Sequence, residues 1–435
     1  MTSKADVVVC GAGIGGAAAA FHLAVRQQVG RVLIVDEREP LTLTSDKGTQ
    51  GYRNWWPGPD DTMLKLVSRS IDLLEETAAE SNNFFRMSRR GYLFATADEK
   101  RLAHLEATAK QVSAYGMGPI RRHPGGTQYE PPRAEGFADQ PVGADLLLGD
   151  EVRNAFPFLS PDAIGAVHVR RAGTMNAVAL GTWLLKRAIA NGAEFVRDRV
   201  VGVDTSGGRV RAVRLASGNV IETERFVVAA GPASHQVGDM LGVELPLQHE
   251  LHHKMAFRDT RGVVPRSAPF VIWDDPVQID HELYPGGVHM RPVDLTHGDE
   301  LYLIWTYETE IREYVWPPVF DPNYPEIVLR GCARMIPGMK PYAGSGASGV
   351  VDGGYYCKTP ENRPLVGPLP VQGAFIIAAL SGIGLMSSHA CGELLAAHVA
   401  GEKLPEYARW FVPSRYDDPQ YRLLVEQWGP LVGQL

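Results

Sequence analysis

The sequence predicts an α/β fold that opens with a strand, a helix and a second strand. Its 435 residues are 45% hydrophobic and 21% charged, a composition that can bury a large core over two or three structural units. A short apolar run, Val7–Cys10, leads into a glycine-rich turn and then into an alanine-rich helical pattern over residues 17–28. A second apolar run, residues 32–35, ends in Asp36. This order of elements is typical of a parallel nucleotide-binding sheet.

The turn between the first strand and the helix carries glycines at the positions that a dinucleotide needs. Gly11 permits the tight turn, Gly13 allows a pyrophosphate to approach the backbone, and Gly16 lets the helix pack closely on the strand. The helix start offers amide donors and a partial positive charge. Asp36 can accept hydrogen bonds from both ribose hydroxyls. We therefore predict a bound dinucleotide; a purely structural turn is the alternative, and this unit alone leaves NAD and FAD open.

The charge balance and the cysteines argue against several other classes of protein. The 43 basic and 50 acidic residues give a formal net charge of −7, which makes nucleic acid an unexpected partner. The four cysteines form no C-x-x-C pair, so neither a disulfide framework nor a zinc module is readable, and we predict a cytoplasmic protein. We find no basic leader and no apolar stretch of about 18–20 residues, so we predict a soluble protein without membrane contact.

The rest of the chain favours FAD over NAD, because it does not continue as alternating strands and helices of one parallel sheet. A polar, glycine-rich segment, residues 44–53, could drape over an extended cofactor. The later pattern predicts helices over residues 60–79 and Ala177–Ala190. It also predicts strands over 194–203 and Arg209–Leu215, joined by a turn at Gly207 and Gly208, and buried strands over 226–232 and 374–380. A last helix opens with the glycine turn 381–384 and runs to about residue 400.

Five segments together resemble the D-amino-acid oxidase and sarcosine oxidase family of FAD-dependent amine oxidoreductases, which has glycine oxidase-like members. They are residues 11–16, 45–53, 173–231, 354–367 and 381–384. The resemblance implies an α/β fold, α+β overall, with a Rossmann-like FAD-binding domain built from discontinuous segments and a substrate domain on a mixed or antiparallel β-sheet. We expect the FAD-binding domain over residues 1–87, 153–242 and 346–435 and the substrate domain over 88–152 and 243–345.

The resemblance also implies a reaction and a set of cofactor contacts. The expected reaction is oxidation of the C–N bond of an amine or amino-acid-like substrate by hydride transfer to flavin N5, giving an imine that hydrolyses, with O2 or another acceptor taking the electrons. Oxidation of a C–OH group, as in 2-hydroxy-acid relatives, and a FAD-binding subunit of a multi-subunit dehydrogenase are the alternatives. The residues expected to hold FAD are Gly11, Gly13, Ile14, Gly16, Asp36, Glu37, Ser45, Gly48, Thr49, Val200, Ala230, Gly231, Gly382, Gly384, Leu385 and Met386.

Three residues are candidates for a catalytic role at the small-molecule substrate. Arg53 lies where the family places an arginine for the substrate carboxylate; a flavin contact, a structural ion pair and a surface position are the alternatives. Tyr356 lies where relatives point an aromatic hydroxyl toward the substrate, and a structural tyrosine is the alternative. His252 is the candidate from the histidine-rich residues 249–253. No metal site is expected there, because a strand would place the first and last histidines about 13 Å apart.

The positions at which relatives attach the flavin covalently are changed in this sequence. Gly354 stands where sarcosine oxidases use a cysteine, and Cys357, three residues away, is expected to point elsewhere. Residues 43–53 contain no histidine for the other kind of attachment. We therefore predict that FAD is bound non-covalently.

Two lysines of the family are also missing. Met386 replaces the lysine that helps to hold the carboxylate, so three alternatives stay open: Arg53 works alone, another residue of the substrate domain helps, or the substrate lacks a carboxylate. No residue in 257–265 matches the lysine that activates oxygen, although Lys254 and Arg258 are nearby cations. Oxidase and dehydrogenase activity therefore both stay open.

Three further regions have less specific signals. Residues 118–145 contain five glycines and five prolines and predict an irregular loop, which could act as a lid, an oligomer contact or a partner surface. The apolar residues of the tail, 407–435, predict that it packs on the protein. The aromatic residues of the substrate domain face a pocket or fill the core; they are Trp273, Tyr284, Trp305, Tyr307, Tyr314 and Trp316.

Overall fold

Two large sheets organise the computed structural model, which describes residues 2–124, 129–133, 135–293, 298–346 and 349–427. The two apolar runs at the start of the chain, Val7–Cys10 and Val32–Asp36, pair in parallel as the sequence predicts. They belong to a six-stranded sheet whose first five strands are parallel and whose last is antiparallel. In spatial order its strands are Glu194–Arg197, Val32–Asp36, Val7–Cys10, Phe226–Val228, Ala374–Ala378 and Leu365–Pro368.

The six-stranded sheet is buried on both faces, which explains its unbroken apolar runs. Val7 and Val9 face a cluster of helices, whereas Val8 and Cys10 face a four-stranded sheet on the other side. The strands of that smaller sheet, in spatial order, are Thr2–Lys4, Val220–Glu222, Arg209–Leu215 and Val200–Ser206. Two-stranded ladders join Val277–Ile279 to Glu282–Tyr284 and Gly51–Arg53 to Ala172–Thr174.

The second large sheet has nine strands and is mixed. In spatial order they are Val350–Lys358, Gln248–Arg258, Glu300–Ile304, Val288–Pro292, Phe270–Trp273, Tyr92–Thr96, Gly165–Val169, Ala144–Leu148 and Ile120–His123. Most neighbours are antiparallel, while Phe270–Trp273 pairs in parallel with Tyr92–Thr96. Alternate residues point to opposite faces of such a sheet. On one face Met255, Trp273 and Leu303 pack with the helix Tyr324–Met335, and the opposite face bears most of the polar side chains discussed below.

The helices that cover the six-stranded sheet approach one another closely. Ile14–Phe21 packs against Gly384–Ala400, where a Cβ on Gly392 would lie 2.9 Å from the main chain of Ala18. The α-helices are Ile14–Phe21, Thr62–Glu80, Glu99–Val112, Asp150–Ala155, Ala177–Ala190, Ser234–Met240, Tyr324–Met335, Gly384–Ala400 and Pro419–Glu426. Short 3-10 turns occupy Thr44–Asp46, Gly231–Ala233, Pro337–Met339, Ser381–Ile383, Glu406–Trp410 and Pro413–Asp417, and π-helical turns His22–Arg26 and Ser113–Met117. None of the helices in the described ranges is long and apolar enough to cross a membrane.

Several sequence predictions need correction. The single strand predicted over residues 194–203 is two strands in different sheets. The first ends at Arg197 in the six-stranded sheet, and the second begins at Val200 in the four-stranded sheet. The helix Gly384–Ala400 is not the last, since Pro419–Glu426 follows it. The predicted loop 118–145 contains the edge strand Ile120–His123, although its residues 125–128 and 134 lie outside the described ranges.

Strand pairing and burial also bear on the expected domain limits and on the tail. Gly165–Val169 and Val350–Lys358 pair within the nine-stranded sheet, so this sheet extends beyond the substrate-domain limits expected from sequence. Phe411 and Tyr421 of the tail are buried, as predicted, while Trp428 lies outside the described residues.

Candidate functional site

A cavity of about 480 Å³ lies at the carboxyl ends of the parallel strands, where open α/β sheets bind their ligands. Most residues expected to hold FAD come together in its wall although they are spread over the chain. Those in the wall are Gly11, Gly13, Ile14, Asp36, Glu37, Ser45, Gly48, Thr49, Val200, Ala230, Gly231, Gly382, Gly384 and Leu385. Other wall residues were not expected from the sequence: Arg38 and Gln236 carry no motif, and Tyr355 lies within residues 354–367 without having been singled out.

The glycine turn forms a cradle that side chains would fill. Gly11 has a φ of +116°, and a Cβ there would collide with the Ala229 carbonyl group. Gly13 caps the helix without a side-chain cap, so main-chain N–H groups face the cavity. The Ile14 N–H donates to the Ser45 hydroxyl at 2.9 Å. Free amides at a helix start are an anion site, which fits the pyrophosphate of a dinucleotide.

The carboxylate of Asp36 is fixed at the far end of this cradle. Its Oδ2 accepts from the Ala12 N–H at 2.7 Å and its Oδ1 from the Arg38 N–H at 2.9 Å. Each oxygen keeps a further lone pair, and Asp36 lies in the cavity wall. This arrangement suits the two hydroxyls of a ribose.

Two of the residues expected to hold FAD lie outside the cavity wall. Gly16 faces the turn instead, where a Cβ would collide with the carbonyl oxygen of Gly11, so it serves the close helix packing predicted for it. Met386 is 1% exposed within the helical core. The glycine turn before this helix does reach the cavity through Gly382, Gly384 and Leu385, but Met386 turns inward by one helical step.

The segment predicted to cover the cofactor, residues 44–53, is held over the polar face of the nine-stranded sheet by side chains. Lys47 pairs with Asp352 at 2.7 Å, and Lys254 Nζ donates to the Asp46 carbonyl at 2.8 Å. Arg291 Nε donates to the Thr49 carbonyl. Of the two cations near the position of the family's oxygen-activating lysine, Lys254 thus lies under the covering segment. Arg258 is exposed and pairs with Asp299.

Tyr356 stands between the covering segment and the late glycine turn. A Cβ on Gly48 would lie 3.5 Å from its hydroxyl, and a Cβ on Gly382 would collide with its ring. Tyr356 lines the cavity, and burial raises its pKa to about 12, so the hydroxyl keeps its proton at neutral pH. It can therefore donate a hydrogen bond into the cavity.

His252 lies behind Tyr356 and does not line the cavity. The two rings stack at a centroid distance of 3.9 Å and an interplanar angle of 14°. Nδ1 of His252 lies 3.0 Å from the Thr306 hydroxyl, and Nε2 lies 3.0 Å from Oε2 of Glu250. The other oxygen of Glu250 pairs with Lys358. Burial lowers the pKa of His252, so the imidazole is neutral.

Arg53 is buried and is not part of the cavity wall, although Gly51, two residues before it, belongs to that wall. Its guanidinium lies 5.5 Å from the centroid of the Tyr92 ring, and its Nε has no hydrogen-bond partner within the described part of the chain. Tyr92 also hydrogen-bonds to Arg53 through its side chain, so the described residues give Arg53 an aromatic ring and a hydroxyl but no carboxylate. Burial lowers the pKa of Arg53 from its ordinary value, but a guanidinium stays charged at neutral pH.

His289, which sequence reasoning missed, has a similar unpaired atom on the same face of the sheet. Its Nδ1 lies 2.7 Å from the Gly287 carbonyl, which can only accept, so Nδ1 carries the hydrogen and Nε2 a lone pair. Nε2 has no partner within the described ranges. Burial lowers the pKa of His289 to about 4. The sequence did not single out His289, because a lone histidine within a strand belongs to no motif.

Cys357 is part of the cavity wall, and that its thiol points away from the flavin stays a prediction. The cavity runs past Tyr356 along the end of the strand Val350–Lys358 and thus reaches Cys357. Burial raises the pKa of this thiol to about 12, so the nucleophilic thiolate is disfavoured. At Gly354 a Cβ would approach Lys47 and Thr44 to 3.1 Å, which leaves little room for a larger side chain.

The histidine-rich residues 249–253 lie in the strand Gln248–Arg258, as predicted. His253 is on the core face and accepts from the Asp321 N–H through Nε2, while His252 is on the opposite face. No group of three or more potential metal ligands occurs within the described ranges. The aromatic residues divide in the same way: Tyr314 lines the cavity, Trp316 lies over Arg38, and Trp273, Tyr284, Trp305 and Tyr307 pack in or against the core.

Comparisons with known proteins agree with this arrangement. The family model described as FAD dependent oxidoreductase matches residues 6–398. Mitochondrial sarcosine dehydrogenase of Mus musculus is 26% identical over 97% of this chain and 41% of that protein. D-amino-acid oxidase of Bradyrhizobium diazoefficiens is 36% identical over 62% of this chain and 59% of that protein. The chain thus spans about two to three fifths of the length of these curated relatives.

The fold also has close counterparts among solved structures. The crystal structure of L-proline dehydrogenase from P. horikoshii superimposes with a TM-score of 0.78 at 20% identity, covering 96% of this chain and 99% of that one. At this identity the likeness shows the fold alone.

Proposed function

The chain belongs to the FAD dependent oxidoreductase family, and from this premise we propose that it oxidises the C–N bond of an amine that also carries a carboxylate. The cavity wall fits FAD: amides at the helix start for the pyrophosphate, Asp36 for the ribose and the covering segment above the remainder. When bound, the isoalloxazine ring accepts a hydride at N5.

The observation that carries this proposal is the state of Arg53. A charged guanidinium that is buried beside an aromatic ring, without a carboxylate from the described residues, is costly unless a ligand compensates it. Its planar fork suits a carboxylate bound through two parallel hydrogen bonds. The carboxylate of an amino-acid-like substrate supplies the missing charge.

We propose the following tasks for the residues around the substrate. Arg53 would hold the carboxylate, and Tyr356 would donate a hydrogen bond from the cavity side. Oxidation removes a hydride from the carbon and a proton from the nitrogen, so the amine becomes an imine, which water then hydrolyses. The unpaired lone pair of His289 Nε2 is an acceptor suited to an amine N–H.

We further propose that FAD is held without a covalent bond. Gly354 offers no nucleophile, and the Cys357 thiol is kept protonated by burial. Flavin that stays on the polypeptide after acid precipitation would contradict this proposal.

The decisive test is anaerobic reduction of the bound flavin by a panel of amines, amino acids and 2-hydroxy acids. We expect bleaching by carboxylate-bearing amines, and bleaching by hydroxy acids alone would contradict C–N oxidation.

Arg53→Ala should raise KM for the active amine about 30-fold or more with FAD still bound, the loss typical of one partner of a buried charge pair. Arg258→Ala, at an exposed ion pair, is the matched control and should behave as the wild type. Admission of air after bleaching then distinguishes an oxidase from a dehydrogenase.

A further inference from the structure

The polar face of the nine-stranded sheet contains a chain of buried groups that ends at Tyr356. Lys358 pairs with Glu250, Glu250 contacts His252, and the His252 ring lies flat on Tyr356. Lys358, Glu250 and His252 are each at most 9% exposed. Of these four residues, only Tyr356 lines the cavity. Its ring lies beside Gly48 and Gly382, which also line the cavity.

The partners of His252 determine its tautomer. The Glu250 carboxylate, ionised beside Lys358, can only accept, so Nε2 of His252 carries the hydrogen and donates to it. Nδ1 then has a lone pair and accepts from the Thr306 hydroxyl at 3.0 Å. Both ring nitrogens are therefore occupied by the protein, and no nitrogen of this imidazole is available to a substrate.

Burial is the main reason that the His252 ring is neutral, because it lowers the pKa against the opposing effect of Glu250. The titratable groups that face it are Glu250 on its own strand, Tyr356 and Lys358 on the neighbouring strand Val350–Lys358, and His289 across the sheet, with His253 next in the chain. Lys358 pairs with Glu250 and lowers the pKa of His252, so it opposes the tendency of this carboxylate to draw a second proton onto the ring.

We propose that His252 is a positioning residue: the Lys358–Glu250 pair and Thr306 hold its ring as a flat support for Tyr356, which keeps the tyrosine hydroxyl directed into the cavity. His252 exchanges no proton in the reaction. This inference rests on the proposed function only for its kinetic test. A stacked aromatic pair contributes about 0.5–1.5 kcal/mol, equivalent to about 3–10-fold in rate if the pair is required in the transition state.

The test compares two replacements of His252 that differ in shape. Phe retains a flat ring but has no nitrogen, whereas Ala removes the ring. We expect His252→Phe to retain the rate of anaerobic flavin reduction within about twofold and His252→Ala to lose about tenfold, mainly in kcat. An equal loss in both variants would overturn the inference, because a flat ring at this position would then not be what supports Tyr356. His281→Ala, at an exposed histidine, is the control for general effects.

Two measurements work without an identified substrate. In crystal structures, the Tyr356 ring should keep its position in His252→Phe and move in His252→Ala; a ring that stays in place without its support would overturn the inference. In Lys358→Met, Glu250 loses its cation and should draw a proton onto His252, which raises the histidine pKa seen by NMR titration. An unchanged titration in this variant would show that Lys358 does not set the state of the ring.

A failure of the proposed function would look different. In that case no carboxylate-bearing amine bleaches the wild-type flavin, yet the two structural measurements still decide the role of His252. If amines do bleach the wild type, the pH profile between about 5.5 and 8.5 adds a further check, since His252→Phe should leave it unchanged. Loss of an ionisation from that profile would identify His252 as an acid or base.

Discussion

The nucleotide cradle and the polar face of the nine-stranded sheet meet around one site but are built on opposite principles. The cradle presents main-chain amides from a short stretch of chain, made possible by glycines such as Gly11 and Gly16. The sheet face presents side chains, among them His289, whose Nε2 has no partner in the described part of the protein; the same holds for Nε of Arg53, which lies in the separate ladder Gly51–Arg53. The cradle is therefore sensitive to an atom added at Gly11 or Gly16, whereas the sheet region bears the energetic cost of buried polar atoms without partners among the described residues.

The largest expected effect is in the cradle. Gly16→Ala places a Cβ against the rigid carbonyl of Gly11, so we expect a loss of about 3–5 kcal/mol in the free energy of unfolding and little bound FAD. In Gly15→Ala the new atom meets the flexible end of Leu380 at 3.2 Å, which can move aside. Denaturant unfolding and the flavin absorbance per polypeptide measure both variants. Equal tolerance of the two substitutions would show that the close approach is not needed.

Acid should destabilise both regions through buried neutral histidines. Burial lowers the pKa of His389 to about 3 behind the cradle and that of His289 to about 4 in the sheet. The unfolded chain binds a proton at each below its ordinary pKa of about 6.5, so stability is complete above that pH and is lost as the pH falls.

This loss can be assigned to one histidine at a time. Each contributes about 2 kcal/mol of destabilisation between pH 6.5 and 5, at about 1.4 kcal/mol per pH unit. His289→Phe removes the acid destabilisation that comes from this one histidine. The unfolding free energy of the variant should therefore fall less steeply between about pH 6.5 and 5 than that of the wild type. Parallel profiles would mean that His289 is solvated or already protonated in the folded protein.

Arg53 and Arg415 compare a buried guanidinium that has no carboxylate partner among the described residues with one that has such a partner. Arg415 is fully buried and pairs with Glu361 at 2.6 Å. Arg53→Met should stabilise the substrate-free protein by about 1–2 kcal/mol, because it removes a charge that the described residues do not compensate. Arg415→Met should destabilise by about 3 kcal/mol, because Glu361 keeps its buried charge without a cation and retains only the hydroxyls of Tyr416 and Tyr421. Thermal unfolding of FAD-saturated protein distinguishes them, and destabilisation in both would indicate that Arg53 is structural.

The smallest expected effect lies where the two regions are bridged by a side chain. Arg38, in the cavity wall, packs against the ring of Trp316 at 5.0 Å from the guanidinium carbon to the ring centroid. An exposed contact of this type contributes about 0.5–1 kcal/mol, so Trp316→Ala should weaken FAD binding about two- to fivefold. Trp316→Phe keeps an aromatic face and should bind FAD nearly as well as the wild type. Titration of apoprotein with FAD measures both, and equal affinities in all three proteins would exclude the contact.

The accuracy of sequence-based prediction differs between the two regions for a physical reason. In the cradle, Gly11, Gly13, Gly16 and Asp36 act within about 30 residues of one another, so their spacing alone implies the turn, the helix start and the acid at the strand end. The split of residues 194–203 into two strands was missed because local hydrophobicity does not show to which sheet a strand pairs. The same limitation hid the edge strand Ile120–His123.

By itself the sequence determined the nucleotide-binding unit, the order of most helices and strands, and the residues from which a cofactor cavity could be assembled. Tertiary structure alone decided that Lys358 neutralises Glu250 beneath His252, that His252 supports Tyr356 from behind, and that Arg53 has Tyr92 as its neighbour. These contacts join residues from distant strands, and they depend on the register in which those strands pair. A strand carries its own alternation of faces, but which side chains meet across a sheet is settled only when the sheet has formed.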